Sequence, residues 1–305
     1  MISVVVVAGA TASGKTALSV ELAKRLSGEI VSCDSMQIYK GMDIGTAKPT
    51  QEEMQGVPHH MLDFLEPSQN FSVSDFCDMA RGIIADIDRQ GNLPILTGGT
   101  GLYIDSLIDN IEFAKETAKS DIKAELLNMA EVSGKEVLYE LLLEIDPDYA
   151  KIVHPNNLKR VIRAIEFYKT TGMTVTEHNA VLKTPIYKSV YFCIDWDREV
   201  LYSRINARVD EMLEKGLEKE AKALYDKYGR QDFTAFSGIG YKEFFDYFEG
   251  KKTLEETVEQ IKQGTRRYAK RQLSWFRRNG KIHWLLPQND MTERAVSIIK
   301  EELSI

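Results

Sequence analysis

Eight residues near the start of the chain, Gly9-Ala10-Thr11-Ala12-Ser13-Gly14-Lys15-Thr16, constrain its fold more than any other stretch. They fill every fixed position of G-x-x-x-x-G-K-[ST]. A β-branched run, Met1 to Ala8, precedes them, and Leu18, Leu22 and Leu26 recur at helical spacing after them. Such a strand–loop–helix unit turns backbone N–H groups and a helix N-terminus towards one point, where the helix dipole favours an anion. Lys15 neutralises a phosphate there, and the Thr16 hydroxyl is placed to ligate Mg²⁺. The loop announces a bound phosphate, not a reaction.

The rest of the chain supplies strands and helices in alternation. Residues 29–33 and 93–96 read as a second and third strand, with a helix at 74–90 between them. From about 115 to 185 the strand signal disappears. Residues 120–132, 135–145 and 155–170 carry helical periodicity there, with Pro147 and Gly172 as breakers. A last strand is expected at 188–194, then helices at 198–215 and 217–228. A long helix opens at Thr253, where Glu256 completes a capping box, and runs towards Arg278. The expected fold class is α/β, a P-loop NTPase-like parallel sheet with helices on both faces, plus an all-helical insertion domain. Residues 1–114 and 186–305 would form the two parts of the core and 115–185 the insertion.

The net charge is −7, yet the charge is not spread evenly. Between Gln260 and Asn289 there is no acid, while Lys262, Arg266, Arg267, Lys270, Arg271, Arg277, Arg278 and Lys281 are basic. A dense stripe on an acidic protein is either a solvated helix face or an RNA footprint. The three cysteines, Cys33, Cys77 and Cys193, show no C-x-x-C pairing, which fits a reducing cytosol. No signal peptide and no membrane-spanning run is seen, so the expected location is cytoplasmic, with no membrane partner. His59-His60 lacks further ligands at metal spacing and reads as structural. Asp195 and Asp197 suit either magnesium or an Asx turn before Arg198. Phe244, Phe245, Tyr247 and Phe248 read as core.

A P-loop NTPase should offer an Asp at a strand end for magnesium. The third strand instead ends in Leu96-Thr97-Gly98-Gly99-Thr100, and the acid at a strand's carboxyl end is Asp34. Ligands of open α/β sheets sit outside those ends, so Asp34 and Thr100 should face the phosphate site. Asp34 then has three readings: magnesium held through water, a general base, or a helix cap.

Further stretches carry a resemblance. They are 39–49 (Tyr-Lys-Gly-Met-Asp-Ile-Gly-Thr-Ala-Lys-Pro), Val57-Pro58-His59-His60, Gly98-Gly99-Thr100-Gly101-Leu102-Tyr103, His154-Pro155-Asn156-Asn157, Gly240-Tyr241-Lys242-Glu243 and 265–272 (Thr-Arg-Arg-Tyr-Ala-Lys-Arg-Gln). With the phosphate loop they resemble the bacterial tRNA dimethylallyltransferase family over about residues 3–280. The resemblance implies transfer of the dimethylallyl group of dimethylallyl diphosphate to N6 of adenosine 37 in the tRNA anticodon stem-loop, with Mg²⁺ as cofactor. It implies that the loop Gly9 to Thr16 binds diphosphate instead of hydrolysing ATP. Asp34, Thr16 and Arg208 are then the expected catalytic residues, with Asp34 as base and Arg208 clamping diphosphate. Asp34, Ser35, Met36, Gln37 and Thr100 would contact the target nucleotide. Lys123, Lys159, Arg160 and Arg163 would grip tRNA from the insertion, and Arg266, Arg267, Lys270 and Arg271 from the basic helix. A monomer is expected. Ala10 and Gly172-Met173 depart from the family pattern, but Ala10 leaves the loop amides in place.

Two rivals share parts of this pattern. A small-molecule kinase has the loop, Asp34 and a helical lid but needs no basic helix. A non-catalytic RNA-binding protein has the helix but needs no intact loop.

Overall fold

The computed structural model describes residues 1–111, 121–180 and 184–305. Strand β1 (Ile2–Ala8) leads into α1 (Lys15–Leu26), β2 (Gly28–Ser32), the short α2 (Gln51–Met54), β3 (His59–His60), α3 (Val73–Arg89), β4 (Leu93–Gly98) and α4 (Gly101–Ile108). Helices α5 (Asp121–Ser133), α6 (Lys135–Ile145), α7 (Pro147–Ile152), α8 (Leu158–Thr171) and α9 (Val175–Ala180) follow. The chain then returns to β5 (Tyr187–Ile194), α10 (Arg198–Glu214), α11 (Leu217–Tyr228), α12 (Lys242–Phe248), α13 (Leu254–Phe276), β6 (His283–Leu285) and α14 (Met291–Leu303). Two compact units result, one of Met1–Ile111 with Pro185–Ile305 and one of Glu112–Thr184.

In the first unit the described strands form one sheet of order β3-β2-β4-β1-β5-β6, parallel throughout. Val4 to Ala8 are fully buried. Val5 and Val7 pack with Leu18 and Leu22 of α1 and Ile299 of α14. Val4 and Val6 alternate to the other face, so β1 is apolar without interruption because both faces are covered. This is a P-loop NTPase-like sheet, with the Gly9–Gly14 loop at the carboxyl end of a central strand.

Two strands escape the sequence pattern. β6 is three residues held by pairing with β5, Trp284 opposite Cys193. β3 pairs His59 and His60 with Ile30 and Val31 at the other edge. His60 Nε2 lies 2.7 Å from Glu29 Oε2, and His59 Nδ1 lies 2.8 Å from the Val57 carbonyl oxygen. Both histidines therefore anchor an edge strand. Residues so few carry no period, only a partner.

The second unit has its own core of Leu126, Leu138, Leu142, Val161, Ile162 and Ile165. Pro147 begins α7 at a position where its missing N–H costs nothing, and the Asp146 carboxylate accepts from Tyr149 N at 3.0 Å. The residue read as a breaker is a helix start. Likewise α8 begins at Leu158, not at 155, because Asn157 is its cap. The expected boundary at 114/115 and the expected helix start at Ser120 lie outside the described residues.

A further cluster in the first unit joins Ile38, Tyr39 and Met42 to Leu217, Phe236, Tyr241, Phe244 and Phe245. Phe244 and Phe245 are core, as the sequence suggested. Glu220 is its polar clasp: its carboxylate accepts from the backbone N–H groups of Asp43 at 2.9 Å and Gly45 at 3.0 Å, and from the Tyr241 hydroxyl at 2.7 Å. Glu220→Ala leaves those donors unpaired and should cost about 2–3 kcal/mol. A lower urea midpoint with an unchanged slope would report it. No described helix is long and apolar enough to cross a membrane.

Candidate active site

The loop closes on itself before it meets any ligand. Gly14 caps α1 at φ +92°, a conformation that glycine adopts without strain. Ala10, Ala12 and Ser13 are buried, and Ser13 Oγ has no hydrogen-bond partner among the described residues. Lys15 reaches back to within 3.5 Å of the Ala10 carbonyl oxygen. Thr16 follows it on the first turn of α1.

Helix α10 supplies the loop's second wall. Arg208 donates to Thr11 Oγ1 at 3.5 Å and Arg204 Nε to the Ala12 carbonyl oxygen at 2.9 Å. The Arg204 guanidinium lies 4.5 Å from the Trp196 ring centre, and the indole N–H of Trp196 donates to the Ser13 carbonyl oxygen at 2.8 Å. Burial pushes the Lys15 amine down to about 8, Arg208 adds to this, and Asp34 opposes it. Burial also lowers Arg208, again against the pull of Asp34. Arg208 disfavours the charge on Lys15, and Arg204 that on Arg208, so the cations at this loop leave it short of negative charge.

Asp34 follows β2, and Thr100 precedes α4 at the end of β4. Asp34 Oδ1 accepts from Met36 N at 2.8 Å and from Gln37 N at 3.3 Å, an Asx turn that fixes the carboxylate. Oδ2 has no hydrogen-bond partner among the described residues. The capping geometry and a free basic oxygen coexist on one side chain. Thr100 Oγ1 accepts from Ser35 N at 3.3 Å, tying the two turns together. Gln37 is committed inward: its amide donates to the Thr46 carbonyl oxygen at 3.2 Å and the Ala47 carbonyl oxygen at 3.1 Å, and its oxygen accepts from Ser32 Oγ at 3.2 Å. Met36 Sδ sits 3.2 Å from where a side chain on Gly238 would begin.

The basic stripe divides once folded. Arg267, Lys270 and Arg271 are exposed on α13, Arg271 lying 5.6 Å from the Tyr268 ring centre. Arg266 instead turns inward, to Asn206 Oδ1 at 2.6 Å and Glu259 at 2.8 Å, and Lys262 pairs with Asp210 at 2.6 Å. A stretch without acids in sequence thus borrows them from α10 and from its own first turns. In the second unit Lys159, Arg160 and Arg163 lie on the exposed face of α8, opposite buried Val161, Ile162 and Ile165, and Lys123 is exposed on α5. Asp197 caps α10, accepting from Glu199 N at 2.8 Å.

Sequence reasoning missed Trp196, Arg204 and Gln272. Gln272 Oε1 accepts from Thr11 N at 3.0 Å, and its Nε2 donates to the Gly99 carbonyl oxygen at 2.9 Å. Only a glutamine inside an otherwise cationic motif hinted at it. Also on this helix, the Trp275 indole N–H donates to Asp105 Oδ2 at 2.6 Å. Burial pushes the Asp105 carboxyl up to about 6. The folded chain holds that proton more tightly than the unfolded chain, whose value is near 3.8, so the group's contribution to stability declines as pH rises from about 4 to 6. Asp105→Asn should therefore raise Tm at pH 7.5, and its advantage over the parent chain should shrink by pH 5 in calorimetry.

No group of three or more His, Cys, Asp or Glu residues among the described ones could hold a metal ion unaided. A cation at this site would depend on Thr16 and on the oxygens of the anion it accompanies.

Comparison with known proteins gives a consistent picture. The family model described as IPP transferase matches residues 37–279, and one described as isopentenyl transferase matches residues 2–70. A tRNA dimethylallyltransferase of Halalkalibacterium halodurans is 49% identical over 95% of this chain and 91% of its own length. One from Geobacillus thermodenitrificans is 47% identical over 98% and 94%. Among solved structures, a full-length tRNA isopentenylpyrophosphate transferase from Bacillus halodurans superposes with a TM-score of 0.75 at 44% identity, over 100% and 99% of the two chains. A eukaryotic dimethylallyltransferase acting on tRNA gives 0.87 at 33% identity, over 100% and 80%.

Proposed function

The chain belongs to the IPP transferase family and transfers a dimethylallyl group to tRNA, and we propose that dimethylallyl diphosphate is the donor, N6 of adenosine 37 the acceptor and Asp34 the base. The observation that carries this reading is geometric: Gln272 bonds both Thr11 N of the phosphate loop and the Gly99 carbonyl oxygen, and Thr100 Oγ1 bonds Ser35 N beside Asp34, so loop and carboxylate share one edge of the sheet. Lys15 and Arg208 of that loop's surround lie within electrostatic reach of the Asp34 carboxylate.

The loop amides, Lys15 and Arg208 hold the diphosphate and stabilise the charge it gathers on leaving. As the C1–O bond to diphosphate breaks, a bond forms from N6 to C1. The allylic cation character of C1 makes ionisation easy, so positioning of the amine governs the rate. The N6 lone pair is delocalised into the ring, and its proton becomes acidic only as the new bond forms. Asp34 Oδ2 takes that proton, while Oδ1 stays anchored to the Met36 and Gln37 N–H groups. Thr16 would hold Mg²⁺, which would supply further neutralisation of the diphosphate. The residues present suit an ion that arrives with its diphosphate.

The adenine has to leave its stack to reach Asp34. Exposed Arg267, Lys270 and Arg271 on α13 suit the RNA backbone, as do Lys123, Lys159, Arg160 and Arg163 in the second unit. With Gln37 tied to the Thr46 and Ala47 carbonyls, its part is to shape the turn that Asp34 and Ser35 present. Arg266 supports α13 from within. The enzyme would work in the cytoplasm as a monomer on the anticodon stem-loop.

The test is direct. Labelled dimethylallyl diphosphate should deliver its label to unmodified tRNA, as an adenosine with five added carbons in mass spectrometry. Labelled ATP should deliver no phosphate to a small acceptor. The reverse pattern, phosphate transferred and tRNA unlabelled, would make the chain a kinase.

A further inference from the structure

Three turns meet at the carboxyl edge of the sheet; one helix bonds two of them directly and reaches the third through Thr100. Gln272 of α13 is nearly fully buried and spans the phosphate loop and the turn after β4, accepting from Thr11 N at 3.0 Å and donating to the Gly99 carbonyl oxygen at 2.9 Å. One helical turn earlier, the Tyr268 hydroxyl faces Thr100 and Gln272, and Thr100 receives the Ser35 N–H beside Asp34. A Cβ on Gly99 would stand 2.1 Å from Gln272 Nε2, so any side chain there displaces the carboxamide. The same helix presents Arg267, Lys270 and Arg271 to solvent.

Resting on the prenyl-transfer reading above, we propose that Gln272 is a positioning residue, a strut that sets the spacing between the diphosphate-holding loop and the Thr100–Asp34 turns. The leaving group belongs to one side of that strut and the incoming amine to the other. A bimolecular displacement is steep in the separation of its partners, and a misplacement of about 1 Å costs up to roughly 100-fold. The strut also places α13, the helix suited to RNA, in rigid register with both. A carboxamide is the side chain that can accept from one turn and donate to the other at once.

Gln272→Met keeps length and packing and loses both hydrogen bonds. Single-turnover transfer at saturating tRNA and dimethylallyl diphosphate is expected to fall roughly 30–100-fold, while Kd for each substrate changes by less than about threefold. Gly99→Ala drives its methyl group into the same carboxamide and should lower the rate comparably. Because both changes act through one contact, Gly99→Ala combined with Gln272→Ala should be no slower than Gln272→Ala alone. Circular dichroism and Tm verify the fold of each variant, and the Gly99 cycle decides the question should Gln272→Met fail to fold. A Gln272→Met rate within about threefold of wild type, a loss seen wholly in KM, or multiplying effects in the double variant would overturn the proposal. Wild-type transfer in the same assay tests the prenyl-transfer reading separately, since its absence would count against that reading alone.

Discussion

Asp34→Ala is expected to slow prenyl transfer roughly 10²–10⁴-fold, the range that a general base ordinarily contributes. The change removes the acceptor Oδ2 and also the Asx anchor at Met36 N, 2.8 Å from Oδ1. Asp34→Asn separates the two effects. Its amide oxygen still accepts from Met36 N and Gln37 N, so the turn survives while the basic oxygen is gone. If deprotonation is the role, Asn should be nearly as slow as Ala, with tRNA affinity intact for both. An Asn variant that retains most of the wild-type rate would reduce Asp34 to the cap of its own turn. Pre-steady-state measurement with labelled donor makes the distinction, since product release then drops out.

The phosphate loop was legible because its physics is local. Strand, glycine turn and helix follow each other in sequence, and each fixed residue acts within a few positions of its neighbours. Asp34 was legible by the same logic, as an acid at a strand end. What stayed hidden were partners distant in the chain. Trp196, in the turn after β5, and Arg204 of α10 brace the loop, and Gln272 reaches it from 261 positions away. No periodicity marks such residues, because their role exists only once the sheet order brings β1 and β4 together beneath α13. Charge misled in the same way. Arg266 and Arg267 are adjacent in the basic stripe, yet one turns to Asn206 and Glu259 while the other faces solvent. A helix has faces, and a count of charges does not. Pro147 shows the converse error, a local signal read without its context: proline ends a helix from inside and begins one from its first position.

Lys15→Ala should reduce transfer by roughly 10²–10³-fold or beyond, the scale of losing one preorganised charge stabiliser, and should leave tRNA affinity unchanged. On the proposed reading the lysine serves the donor, and the RNA is held elsewhere. A non-catalytic RNA-binding protein would predict no functional loss from this change, which makes it the sharpest separation between the two classes. Lys15 also carries a pH signature. Its amine lies near 8 in the free protein because burial and Arg208 disfavour the charge. Raising pH through that value neutralises the group that should receive the diphosphate, so kcat/KM for dimethylallyl diphosphate should decline above about pH 8, since that ratio reports the free enzyme. Once the diphosphate is bound, its negative charge favours the ammonium form, so kcat should hold to higher pH. Lys15→Arg tests the cause, because a guanidinium does not titrate in this range. Its residual kcat/KM should lose the alkaline decline, even if the bulkier head lowers the absolute rate. An identical decline in the Arg variant would assign that titration to another group and leave Lys15 with no measurable part in recognising the donor's charge.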